Sequence, residues 1–116
     1  MKYVIWHNPR CSKSRAALEI LQTAGVELEV RRYQDAPPNA AEILAVVRSM
    51  ARPVRDLVRF CEACARELRL KDADKTDAEW AQVLADNPTL IERPVVISSD
   101  GRAVLGRPPE AVRDLL

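Results

Sequence analysis

The sequence has no long hydrophobic run, no excess of either charge and few cysteines. The first absence argues against a membrane span. The apolar start, Tyr3 to Trp6, is broken at once by His7-Asn8-Pro9, and no later run approaches the roughly 20 residues that a bilayer needs. The same start is too short for the core of a signal peptide, so a cytoplasmic protein without an export segment is expected. The second absence, 18 basic residues against 17 acidic ones, gives no support to a nucleic-acid or membrane partner. A local group of arginines can still hold a small anion, because net charge averages over such a patch. The third leaves Cys11, Cys61 and Cys64, an odd number that speaks against a disulfide framework and for reduced thiols. Internal repeats and low-complexity segments are also missing. With 116 residues, one domain over positions 1–116 is expected.

What is present is a regular succession of elements. Lys2 to Trp6 reads as a buried strand, and the apolar positions Ala17, Leu18, Leu21 and Ala24 recur at helical spacing after Ser12, with Gly25 placed to end that helix. Val26 to Arg31 alternates strictly, as an edge strand with one buried face does, whereas the unbroken first strand reads as central. Asn39 with Glu42 forms a capping box before a second helix carrying Ile43, Leu44 and Val47. From about 50 to 91 only helical signals are found. Pro53 suits a helix start before Val54, Leu57 and Val58, and Thr76 with Glu79 makes a second capping box. Pro94 to Ile97 and Ala103 to Leu105 then read as a hairpin turning at Asp100-Gly101, and Pro108-Pro109-Glu110 opens a last short helix, Ala111 to Leu115. This is the order of an α/β thioredoxin-like fold: a four-stranded mixed sheet flanked by helices, with a helical insertion between strands two and three.

Chemistry points to Cys11. It stands at the turn from strand to helix, facing the unpaired N–H groups of the first helical turn, with Arg10, Lys13 and Arg15 nearby in sequence. Both influences favour thiolate, the nucleophilic form. The competing reading of Cys11 is a small buried hydrophobe, which a cation-rich loop does not favour. The Ser14 hydroxyl reads either as a donor to that thiolate or as an ordinary first-turn cap, and His7 either as a donor to it or as a structural residue that orients the loop. A phosphatase loop would need an arginine where Ala17 stands, so that reading fails.

Arg93 precedes Pro94, where a thioredoxin-like order places a cis-proline beside the nucleophile, and Arg107 ends the hairpin before Pro108. Guanidinium groups converging on one thiol would make a bidentate site for a tetrahedral oxyanion. Either arginine taken alone reads as a surface charge. Cys61 and Cys64 fall on one face of a helical stretch, as two half-buried thiols without a function or as a redox or resolving pair. A closed zinc site would need two more ligands, and His7 and Cys11 are the only others of that type, so no metal is expected.

The stretch His7-Asn8-Pro9-Arg10-Cys11 followed by Ser14-Arg15 resembles the signature of the glutaredoxin-dependent arsenate reductases. The likeness continues through Tyr33, Pro37-Pro38, Val54 to Arg59, Leu90 to Val96 and Gly106 to Glu110, and so covers essentially the whole chain. Ser12-Lys13 replaces a smaller, glycine-containing pair and adds a cation. The resemblance implies Cys11 as nucleophile, Arg59, Arg93 and Arg107 as the oxyanion-binding arginines, and His7 in support; Ser14, from its place on the first turn, is the other expected supporting residue. Arsenate would be the substrate, glutathione the co-substrate and glutaredoxin the partner of a monomer with no bound cofactor. A related thiol enzyme that removes glutathione from proteins is the alternative. A Spx-type transcription regulator is similar in fold, but its Cys-x-x-Cys switch would need cysteine where Ser14 stands.

Overall fold

In a computed structural model that describes residues 2–116, the chain opens with β1 (Lys2–His7), α1 (Ser12–Thr23) and β2 (Glu27–Arg32). It later returns with β3 (Val95–Ser98) and β4 (Ala103–Leu105). The four strands form one mixed sheet in the order β2-β1-β3-β4. β1 runs parallel to β2 and antiparallel to β3, so Ile5 sits between Val30 and Val96. The unbroken apolar strand is therefore central and the alternating one lies at the edge. Glycine ends α1 as expected: Gly25 takes φ +71°, a left-handed conformation without cost for a residue that lacks Cβ.

α1 and the C-terminal segment cover one face of this sheet, burying Tyr3, Ile5, Ala17, Leu21, Val96, Val112 and Leu115 together. A fully buried side chain of the size of Ile5 or Leu21 contributes about 1.5–3 kcal/mol. The phenol of Tyr3 donates to Leu115 O at 2.7 Å and satisfies the buried hydroxyl. The last segment, expected as a short helix over Ala111–Leu115, is a 3-10 helix over Pro109–Leu115, with Ala111 N donating to Pro108 O. Winding at three residues per turn places Val112 and Leu115 on one line, and both are buried. A face that needs only these two contacts does not require the wider helix.

Two compact units emerge. One holds the chain up to Ala36 together with Arg93–Leu116, and the other is Pro37–Glu92. The second unit thus begins before position 50 and takes in α2 (Ala40–Met50), which packs on α4 (Asp77–Asp86). Both expected capping boxes are present, Asn39 with Glu42 and Thr76 with Glu79. Between these helices lie α3 (Ala63–Glu67) and a 3-10 turn at Val54–Leu57. A longer helix was expected from Pro53, but Val58 becomes extended and bridges Ile91, with Arg59 N donating to Leu90 O at 2.7 Å. Pairing with a segment far along the chain overrides the local helical spacing. The Arg55 guanidinium lies 4.6 Å from the ring centre of Phe60 and 5.4 Å from that of Trp80, and it donates to Lys71 O. Among the described residues no helix is long and apolar enough to cross a membrane.

Candidate active site

Cys11 is the N-cap of α1, with φ −95° and ψ 122°, so its side chain sits over the first turn, where the backbone N–H groups have no helical partner. Around the sulfur stand the N–H groups of Ser14 and Lys13 and the Arg93 side chain, whose hydrogen-bonding influence favours its charged form. Partial burial opposes the thiolate. The Ser14 N–H, the Arg93 hydrogen bond, the Lys13 N–H and the Arg93 charge outweigh it, and the Cys11 pKa is held below its ordinary value.

The loop that presents the sulfur is tied at several points. Cys11 N donates to Asn8 O and Arg10 N to Asn8 Oδ1, each at 3.0 Å, while Arg15 Nη1 donates to Pro9 O at 2.9 Å. Ser14 is fully buried, and its Oγ accepts from Asn8 N at 3.0 Å and lies 2.7 Å from His7 Nδ1. The hydroxyl therefore serves the loop, and only the backbone N–H of Ser14 serves the sulfur. Burial first, then the charges of Arg32 and Arg15, hold the His7 pKa below its ordinary value and keep the ring neutral. The Ser14 hydroxyl is assigned as donor to Nδ1, which leaves the ring proton on Nε2. His7 thus orients the loop through Ser14. Asn8 and Arg15, not singled out as site residues from the sequence, complete this network. The Asn8-Pro9 turn was the signal that could have found the first of them.

Arg93 and Arg107 each precede a proline across a cis peptide bond. Arg107 Nη1 donates to Arg93 O at 2.9 Å, and Gly106 N donates to Pro94 O at 2.8 Å. Arg107 therefore braces the backbone of the arginine that reaches Cys11. Gly106 is needed here for close approach, since a Cβ at this position would stand 2.7 Å from Pro94 Cγ.

Arg59 belongs to the helical unit. Its Nε donates to Glu62 at 3.1 Å and its Nη1 to Glu92 at 2.9 Å. Burial works against the charged guanidinium, but the Glu92 charge and the bonds to both carboxylates raise its pKa further. Cys64 is half-buried, as expected, whereas Cys61 is exposed.

A polar cleft of about 260 Å³ borders the loop, lined by His7, Asn8, Pro9, Arg10, Arg32, Gln34 and Asp35. A wider cavity of about 660 Å³ opens in the helical unit around Phe60, Ala65 and Arg66 and contains no residue of the Cys11 loop. Neither cavity is lined by Cys11 or Arg93, so the candidate site is placed by the nucleophile and its donors and not by cavity size. Among the described residues no group of three or more His, Cys, Asp or Glu side chains is placed to hold a metal ion.

Comparison with known proteins agrees on one kinship. The family model described as ArsC family matches residues 6–115. The chain is 41% identical to an uncharacterized protein, YfgD, of Escherichia coli, over 97% of this chain and 94% of that one. It is 37% identical to an arsenate reductase of Neisseria meningitidis, over 97% and 96% of the two chains. The solved structure of an arsenate reductase from Vibrio cholerae superposes with a TM-score of 0.93 at 38% identity, covering 100% of this chain and 98% of that one.

Proposed function

Since the chain belongs to the ArsC family, we propose that it reduces arsenate to arsenite through the Cys11 thiolate, with glutathione and glutaredoxin as electron donors. The observation that carries this reading is the set of donors on one sulfur: two N–H groups of the α1 first turn and the Arg93 side chain. Such a sulfur is biased toward the thiolate and partly accessible, and the arginine beside it also offers a positive charge to an incoming oxyanion.

The Cys11 thiolate attacks arsenic and water leaves, giving a covalent thiol adduct. Glutathione thiolate then attacks the Cys11 sulfur of that adduct, the sulfur–arsenic bond breaks, and its electron pair stays on arsenic. Arsenite departs, and Cys11 remains in a mixed disulfide with glutathione that glutaredoxin resolves. Arg93 stabilises the oxyanion as charge shifts toward arsenic, and Arg107 holds the Arg93 backbone in place while offering a second guanidinium. The family pattern gives Arg59 the same part. His7 and Ser14 act through the loop, keeping the Lys13 and Ser14 N–H groups aimed at the sulfur.

The test is arsenite formation in an assay containing arsenate, glutathione and glutaredoxin. Cys11→Ser should abolish turnover. Arg93→Ala should lower kcat by about 10²–10³, the usual effect of removing one donor to a developing oxyanion. Undiminished turnover in Cys11→Ser would refute the mechanism. Removal of glutathione from proteins, with no arsenite formed by the unaltered enzyme, would replace arsenate as the substrate.

A further inference from the structure

The Cys11 chemistry leaves two thiols unused, Cys61 and Cys64. Cys61 is exposed and lies just before α3, where the Arg59 Nη2 donates to its sulfur at 3.9 Å and Arg66 Nη1 donates to its carbonyl at 3.0 Å. Cys64 is half-buried within α3 and its thiol donates to Asn87 Oδ1 at 3.5 Å. One sulfur is thus open to a bulky reagent and the other is sheltered three residues along. We propose that Cys61 and Cys64 form a reversible dithiol–disulfide pair that exchanges with glutathione disulfide.

One backbone torsion between the two cysteines separates the present conformation from a helical one, with Phe60 and Arg59 readjusting ahead of it. Glu62 and Ala63 set the separation of the two cysteines, and Ala63 is already helical. Glu62 has φ −70°, also a helical value, and only its ψ of 147° departs from the helical value of about −42°. Turning that one torsion moves Cys61 and keeps the Arg66 N to Glu62 O bond, because that carbonyl lies on the far side of the rotating bond. Cys61 then joins the helix end, where residues three apart stand about 5–6 Å from each other at Cβ, and small adjustments bring the sulfurs to bonding distance. The contacts given up are the exposed hydrogen bonds at Cys61, at 3.0–3.9 Å, and the part-buried bond from the Cys64 thiol to Asn87 at 3.5 Å.

The steps balance. The Cys61 thiolate attacks one sulfur of glutathione disulfide, whose S–S bond breaks and releases one glutathione. The Cys64 thiolate then attacks the Cys61 sulfur, the bond to the second glutathione breaks, and the Cys61–Cys64 bond forms. Two cysteine thiols lose two electrons, one glutathione disulfide gains them, and the two thiol protons end on the released glutathiones. Oxidation takes the Cys61 sulfur away from Arg59 and leaves that guanidinium to Glu62 and Glu92 alone. The pair works without Cys11, so it is independent of the arsenate reading.

The experiment equilibrates the Cys11→Ser variant with buffers of rising oxidised-to-reduced glutathione ratio, then counts free thiols by alkylation and mass. The expected result is a fall from two free thiols to none in a single step, with no glutathione retained. Cys64→Ser in the same background should instead hold one glutathione on Cys61. Peptide mapping of the unsubstituted oxidised protein checks the linkage without relying on a variant, and should recover a Cys61–Cys64 bond. Thiols that stay reduced, or that each carry glutathione without an internal bond, would overturn the proposal.

Discussion

Gly106→Ala would set a methyl group against Pro94, the residue that follows the arginine held on the Cys11 sulfur. The added Cβ would stand 2.7 Å from Pro94 Cγ and 3.2 Å from Val112 Cγ1. Carbon atoms in ordinary contact are about 3.5–4.0 Å apart, so the shortfall is about 1 Å on the proline side. Neither neighbour is the free end of a flexible side chain, since Pro94 is a buried ring and Val112 is fully buried in the sheet core. Overpacking of this kind costs about 1–3 kcal/mol, and strain on the Gly106 N to Pro94 O bond adds about 1 kcal/mol. A chain of 116 residues has a total stability of roughly 6–17 kcal/mol, so the variant should fold but with a Tm lower by about 4 °C for each kcal/mol lost. The same shift moves Arg93 from the sulfur, and iodoacetamide alkylation of Cys11 near neutral pH, read by peptide mass, should slow. An unchanged denaturation midpoint would refute the packing reasoning. Lower stability with unchanged Cys11 alkylation would refute the link from Gly106 through Pro94 to Arg93.

Two further perturbations separate loop support from thiolate support. Ser14→Ala removes the acceptor of the buried Asn8 N–H and should cost about 1–3 kcal/mol in urea denaturation. Because the backbone N–H at position 14 survives, the pH profile of Cys11 alkylation should keep a midpoint below the roughly 8.5 of a free cysteine; a midpoint restored to that value would show that the hydroxyl holds the sulfur after all. For His7 the sign follows from its lowered pKa. Between the folded value and the unfolded 6.5 the unfolded chain binds more protons, so the stability owed to neutral His7 is complete above 6.5 and declines as pH falls below it. That decline is no steeper than about 1.4 kcal/mol per pH unit and should be missing in His7→Gln, so parallel stability curves for the two proteins between pH 7.5 and 5 would contradict a neutral, buried His7.

Much of the architecture was written locally. The apolar run before His7, the helical period after Ser12 and the alternation after Gly25 are short-range patterns, and they suffice to place Cys11 at the start of a helix. The central place of β1 and the edge place of β2 followed from the contrast between an unbroken strand and an alternating one. The two capping boxes also needed nothing beyond their own four residues. Where tertiary pairing competed with local spacing, it prevailed. Val58 left a helical pattern to bridge Ile91, and the final segment wound as a 3-10 helix because Val112 and Leu115 were the contacts the core required.

The candidate site divides along the same line. The nucleophile and the donors of its first helical turn depend on neighbours in sequence, whereas the contacts of Arg93 and Arg107 depend on segments joined by folding. Arg93 reaches Cys11 only because β3 lies beside β1, and Arg107 braces Arg93 only because β4 closes the hairpin. The second carboxylate on Arg59 lies 33 positions away. The partners of the Ser14 hydroxyl belonged to the same class: its first-turn position was legible, but a serine there can serve backbone, sulfur or imidazole alike. Only the path of the chain through Asn8 gave the hydroxyl to His7 and left the N–H for the thiolate. Sequence determines what lies within a helical turn or a strand period of Cys11. Which distant charges meet there is decided by sheet register, because hydrogen bonds reach about 3 Å and only packing brings remote segments that close.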